Sequence, residues 1–371
     1  MKPFPWRSCA LVVSLAMSSA TSLQAQEAER EVEVHGFGDW AYGRTDGNIY
    51  LSGARPARYD DASLALNING RVSDRLRIVG QAEWVDGADG ADVELDYSFA
   101  EWRFSDRLQM RAGKVKQPFG ISAEVFDVGT LRPFAELPQA VYGPAGLVGE
   151  TYKGLGLTGN VGLKGGWSLD YDVYGGGQGL QEFLPPESVA RGEAVEETTE
   201  HENTTNMLGG RLVFETPVTG LSFGASAYTG TEIGAGRRTG VGGQVEYLAR
   251  GWSIRSEYVH ESVTDDLKAN GFYLEAARRF GRWQVAGQYG RFTSTVLGVP
   301  PPSARSLLDH EELAAGLNYW WDPRFVFKLS YHHVDGNRFA GPEPELLAAD
   351  AAAGRLDTRT NLLLFAAQFS F

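Results

Sequence analysis

The last stretch of the chain alternates strictly, and this restricts the fold more than any other feature. Leu363, Phe365, Ala367, Phe369 and Phe371 fall on one face of an extended strand, and Leu364, Ala366, Gln368 and Ser370 on the other. A terminal strand ending in Phe, behind a secretory leader, points to the outer membrane of a Gram-negative cell. In a bilayer every backbone N–H and C=O must be paired within the protein, so only helices and closed β-barrels span it. No apolar run here approaches the roughly 20 residues a spanning helix needs. A barrel is the expectation that remains.

Residues 1–25 read as the leader. Lys2 and Arg7 form its positive start, Cys9–Met17 its apolar core, and Leu23-Gln24-Ala25 offers a small residue at the cut. Residues 26–371 then form the barrel domain. Cys9 is the only cysteine and sits at the start of the apolar core, so a lipid anchor is not expected. The mature chain has no thiol, which excludes a disulfide framework and any Cys-based metal or nucleophile site.

The formal charge is −13, more negative still once Lys2 and Arg7 leave, and this argues against a nucleic-acid partner. It suits an outer-membrane surface, where divalent cations bridge acidic groups to lipopolysaccharide. Glycine is frequent at 46 residues and aromatics reach 12%. That composition, without long apolar blocks, is typical of transmembrane barrels.

About 16 strands can be read, near 32–44, 61–72, 75–85, 92–104, 107–117, 151–162, 165–176, 204–215, 219–230, 238–249, 251–262, 269–280, 282–294, 310–321, 324–335 and 357–371. Their lengths suit tilted strands that cross a bilayer. The connections alternate between short turns rich in Gly, Pro and Asp and longer loops, as in an even antiparallel barrel with both termini on the periplasmic side. One face of most strands is apolar and the other polar: Leu313, Leu317 and Trp321 alternate with Glu312 and Asn318, for example. The pattern slips near Ser98–Phe99 and near Lys114–Lys116, as β-bulges would produce. A soluble sandwich would share the alternation. Its core would be poorly filled by so many Gly- and Ala-rich faces.

The third long connection, 118–150, is rich in Pro, Gly and aromatics and less polar than a loop in bulk water. Arg132-Pro133, Leu137-Pro138 and Gly143-Pro144 stiffen it. A loop of this length is expected to be packed and functional. A sixteen-stranded barrel encloses an aqueous channel, so the natural place for it is folded into the lumen, as a constriction.

The runs Arg111-Ala112-Gly113-Lys114-Val115-Lys116-Gln117-Pro118-Phe119-Gly120, Asp127–Phe134, Leu137–Gly146 and Tyr152–Gly159, with His35-Gly36-Phe37-Gly38 in the first strand, resemble bacterial porins of the phosphate-selective porin O/P type. The resemblance is specific over about fifty residues and architectural elsewhere. It implies a sixteen-stranded, homotrimeric diffusion channel with an inward third loop. That family's well-known members carry many pore lysines and prefer anions. This chain departs from them, with only six lysines after residue 25.

Selectivity in such a pore is set by charge at the narrowest point. The candidates there are Arg111, Lys114, Lys116 and Arg132, opposed by Asp127, Glu136 and Glu124. One reading makes Arg111, Lys116 and Arg132 a basic patch. The other has Arg132 hold the loop by pairing with Asp127 or Glu136. Further lumen-lining candidates are Glu83, Asp170, Asp172, Arg211, Arg255, Glu257, Glu275 and Lys328.

Weaker signals have plain readings. Asp86–Asp92 has oxygen ligands spaced as in a Ca²⁺ loop but lacks its closing Glu, and Asp-Gly is a hairpin signal. Glu193–Glu202 reads as an acidic external loop. His332 and His333 point to opposite faces of a strand and cannot form a metal pair. No cofactor or metal site is expected. The leading expectation is a non-enzymatic porin passing small hydrophilic solutes or ions. Its terminal strand would be read by the barrel-assembly machinery. Two alternatives remain: a barrel enzyme with a hydrolytic site near His260 or His310, and a non-conducting surface binding barrel.

Overall fold

The computed structural model describes residues 32–54, 58–87, 90–125, 127–143, 147–178, 204–233, 235–296, 309–339 and 357–371. The leader and the acidic run Glu193–Glu202 lie outside them. The described residues form one seventeen-stranded sheet. Sixteen strands build the wall. These are β1 (Val32–Thr45), β3 (Arg58–Ser73), β4 (Leu76–Gly87), β5 (Gly90–Ser105), β6 (Leu108–Lys116), β7 (Thr151–Gly162), β8 (Ser168–Gln178), β9 (Thr204–Glu215), β10 (Leu221–Glu232), β11 (Gly236–Ala249), β12 (Trp252–Val263), β13 (Leu267–Phe280), β14 (Trp283–Val296), β15 (Asp309–Asp322), β16 (Phe325–Asp335) and β17 (Arg359–Ser370). The remaining strand, β2, is the two-residue Gly53–Ala54, parallel to β1. Each wall strand pairs antiparallel with its neighbour in sequence, and β1 pairs with both β3 and β17. The sheet therefore closes into a barrel with no free edge, which satisfies the backbone in a bilayer.

The side chains are turned as a lipid solvent requires. Leu363 is 54% exposed, while Leu362 and Leu364 beside it are 0% and 1% exposed. Leu64, Leu66 and Ile68 on β3, Leu155 and Leu157 on β7, and Leu313 and Leu317 on β15 all face outward. The buried polar residues sit on the opposite face, among them Asp172, Glu257, Glu275, Glu312 and Lys328. Aromatics stack along the outer face of the last strands, as Phe325 does on Phe369 and Phe327 on Phe365.

Both slips in the alternation have a structural cause. The β4–β5 register shifts where Gln81 faces Tyr97 and Ala82 faces Leu95, leaving Asp96 as the extra residue of a bulge. In β6, Gly113 takes a φ of +139°, open only to glycine, and a Cβ there would lie 2.4 Å from the Ser98 carbonyl. β6 is also short, at nine residues. Gly87 pairs with Gly90 across β4 and β5, so Asp86–Asp92 belongs to a hairpin whose strands are separated by two residues.

Candidate functional site

The stretch from Gln117 to Glu150 leaves the short strand β6 and returns into β7. It docks on buried side chains from strands spread around the sheet. Gly120 donates its N–H to Ser226 Oγ on β10 at 3.1 Å and accepts from Arg211 on β9 at 3.3 Å. Glu257 on β12 takes three donors: the Ile121 N–H at 2.8 Å and the hydroxyls of Tyr142 and Tyr273 at 2.6 Å each. Asn318 on β15 donates to the Pro133 carbonyl at 2.7 Å. Gln368 on β17 donates to the Ala135 carbonyl at 3.0 Å.

The strongest clasp is Lys328 on β16. Its Nζ lies 2.8, 2.7 and 2.9 Å from the carbonyls of Gly129, Arg132 and Phe134, and also bonds the Gln368 amide oxygen. A loop with few regular hydrogen bonds of its own has its carbonyls satisfied by a buried ammonium. Glycine makes room for the loop on the wall. A Cβ at Gly271 would fall 2.0 Å from the Ala140 carbonyl, so the four-residue helix Gln139–Tyr142 lies directly on β13.

Two ionic clusters flank the start of this segment. In the first, Lys116 reaches Asp96 at 3.0 Å, Asp127 at 2.9 Å and Glu150. Gln81 donates to Asp96 and Asp127 at 2.6 and 3.0 Å. Carboxylate oxygens of Glu83, Asp96 and Asp127 lie within 4.8 Å of one another. Three carboxylates thus share one ammonium, with Glu83 beside them as a fourth acid. Burial pushes Asp127 up, but the neighbouring Lys116 more than offsets this and holds it below the ordinary carboxylate range. Burial, with Asp127 and Asp96 nearby, pushes Glu150 up to about 7 against the pull of Lys116.

In the second cluster, Arg111 bonds Glu101 at 2.9 Å and Glu124 at 3.3 Å. Arg211 bonds the same Glu124, and Asp172 at 2.9 Å. Arg77 completes the row at 2.7 Å from Glu101. Burial raises Glu124, but the two guanidinium groups win and its carboxyl lies below its ordinary value.

Arg111 and Lys116 therefore stand in separate clusters, each with its own carboxylates. Lys114 is in neither: it is partly buried and donates to the Leu95 carbonyl at 3.1 Å. Arg132 bonds the Ala135 carbonyl at 2.9 Å, and Glu136 accepts from Ser52 at 3.4 Å. Arg255 joins Glu246 at 2.6 Å, Glu275 at 3.7 Å and the Leu131 carbonyl at 2.9 Å. Asp170 pairs with Asn160 at 2.7 Å. Sequence reasoning missed Asp96, Glu101, Glu150 and Arg77. Asp96 was hidden by the bulge, which turns two consecutive residues inward. Of the two histidines named for an enzyme, His260 bonds Asn270 at 2.9 Å, and His310 is buried 3.4 Å from Glu312.

No protein-family model and no curated protein matches the chain. Solved structures share the fold. The outer membrane channel DcaP of Acinetobacter baumannii aligns at 10% identity with a TM-score of 0.58, covering 93% of this chain and 99% of DcaP. An anion-selective porin from Comamonas acidovorans aligns at 12% identity and a TM-score of 0.57, over 92% and 100% of the two chains. The trimer form of OmpT, an outer membrane protein of Vibrio cholerae, aligns at 11% identity and 0.54, over 92% and 99%. A closed barrel with an apolar exterior belongs in a membrane, and this fold is that of Gram-negative outer-membrane barrels.

Proposed function

We propose that the chain is a porin, a passive water-filled channel for small hydrophilic solutes or ions, with residues 118–150 lying across the lumen as its constriction. The observation that carries this reading is the docking of that segment on the face opposite the lipid-facing belt, from β9 round to β17. Flow is diffusive, sieved by the segment and biased by the two ionic clusters beside it. A homotrimer fits, as the Vibrio cholerae neighbour is described in a trimer form. Contact with lipopolysaccharide and insertion by the barrel-assembly machinery belong to the same reading. A phosphate preference finds little support, because Lys116 is outnumbered by its carboxylates. Planar-bilayer recording of the purified protein in KCl is the test. Stepwise conductance supports a porin, and its absence from folded protein overturns it.

One observation favours a second reading, a barrel enzyme. Ser330 Oγ lies 2.7 Å from His332 Nε2, and His332 Nδ1 lies 2.5 Å from Glu312 Oε1, the order of a hydrolytic relay. All three are buried, and the Phe134 ring stands 5.9 Å from His332. Covalent labelling of Ser330 by a fluorophosphonate would favour that reading; an unlabelled Ser330 leaves the relay as a structural network.

A further inference from the structure

The wall around Arg111 combines charge with exposed apolar surface. In three ion pairs the guanidinium is the more exposed partner. Arg77 and Glu101 are 41% and 5% exposed, Arg111 and Glu101 19% and 5%, and Arg211 and Asp172 13% and 6%. In these pairs Glu101 and Asp172 sit deeper than the guanidinium groups they orient. Glu124 is the exception, at 30%. Beside them lies an aromatic platform. Tyr97 and Phe99 stack at 6.0 Å and 27°, both only partly buried, and the Arg111 guanidinium lies 5.5 Å over Phe99. Val125, next to Glu124 on the loop, is 37% exposed.

Phe99 and Val125 leave apolar surface open beside fixed guanidinium groups, and covering it with a ring would remove that surface from water. A guanidinium held over a ring, with free N–H donors, suits a carboxylate whose own ring lies against Phe99. We propose that this wall is a binding site for small organic acids carrying an apolar ring, and that it sets which solutes the channel retains. The proposal rests on the porin reading. It assigns Arg77 and Arg111 to the carboxylate, and Phe99 and Val125 to the ring.

The test uses the reconstituted full-length protein carrying KCl current in a planar bilayer. Benzoate is compared with acetate, which lacks the ring, and benzylammonium, which lacks the carboxylate. Benzoate is expected to block current at concentrations where neither of the others does. Phe99→Ala and Arg111→Gln are each expected to raise the blocking concentration about fivefold, the effect of roughly 1 kcal/mol. Val125→Ser, at an exposed loop position, gives a second handle should Arg111→Gln fail to fold, and it should shift benzoate block in the same direction. Equal block by benzoate and acetate, block by benzylammonium, or variants that block like the parent would each overturn the site while the KCl current keeps the porin. Absence of any KCl current from folded protein overturns the porin reading, and the site with it.

Discussion

Lys328 and Gly129 stand 199 positions apart, yet the lysine Nζ lies 2.8 Å from the glycine carbonyl. The contact ties the sixteenth strand to the middle of the docked loop. Three backbone carbonyls and a side-chain amide depend on this one ammonium. Lys328→Met keeps the length of the side chain and removes all its donors. Each orphaned buried acceptor costs about 1–3 kcal/mol. The variant should lose about 3 kcal/mol or more against urea in detergent, and its single-channel conductance should become larger and noisier as the loop detaches.

Lys116 makes the opposite kind of contact, to carboxylates that outnumber it. Lys116→Met would leave Asp96, Asp127 and Glu150 facing one another without a cation. The reversal potential under a KCl gradient should move toward that of K⁺, with the K⁺/Cl⁻ permeability ratio rising by about twofold or more. An unchanged reversal potential would place the cluster away from the ion path.

Glu150 gives the barrel a carboxyl that titrates near neutrality. Its carboxyl is pushed up to about 7, first by burial and then by its acidic neighbours. A carboxyl with a raised folded-state pKa favours the fold at low pH. Its contribution is complete below its unfolded value of about 4.3 and is lost as pH rises through about 7. Cation preference should therefore strengthen between pH 6 and pH 8, while urea resistance declines slightly. Glu150→Gln should flatten the selectivity step.

Gly271 is where the loop helix touches the wall. A methyl group there would sit 2.0 Å from the Ala140 carbonyl. Gly271→Ala should displace the helix at a cost of about 1–3 kcal/mol. In recordings this should appear as altered conductance with the barrel still folded by circular dichroism.

Most of the wall could be read from the sequence because a lipid solvent and a closed sheet leave a period-two signal. Strands such as Thr151–Gly162 and Thr204–Glu215 begin and end where the alternation does. The loop's anchors could not be read this way. Lys328, Gln368 and Asn318 look like ordinary polar positions of an alternating strand, and nothing local says that each meets a distant carbonyl. Glu101 and Asp96 were missed for different reasons. Glu101 sits in a regular strand without any distinguishing motif. Asp96 occupies a bulge, where one extra residue hides which side chain turns inward. Arg111 and Lys116, five residues apart, would point to opposite faces of a regular strand, and the break in the pleat at Gly113 lets both reach buried carboxylates of β5.

The seam between β1 and β17 carries a consequence for how the barrel is made. Gly36 and Phe371 exchange backbone bonds of 3.1 and 2.8 Å across it, and Asp39 accepts from Gln368, 329 positions away. Closing so large a ring comes late in folding, because its entropy must be met before its contacts form. Lys328 and Gln368, which bond the docked loop, belong to the last two strands, β16 and β17. A partly assembled barrel thus lacks both its closure and the anchors of its docked loop. Closure of the barrel and anchoring of the loop end in one event.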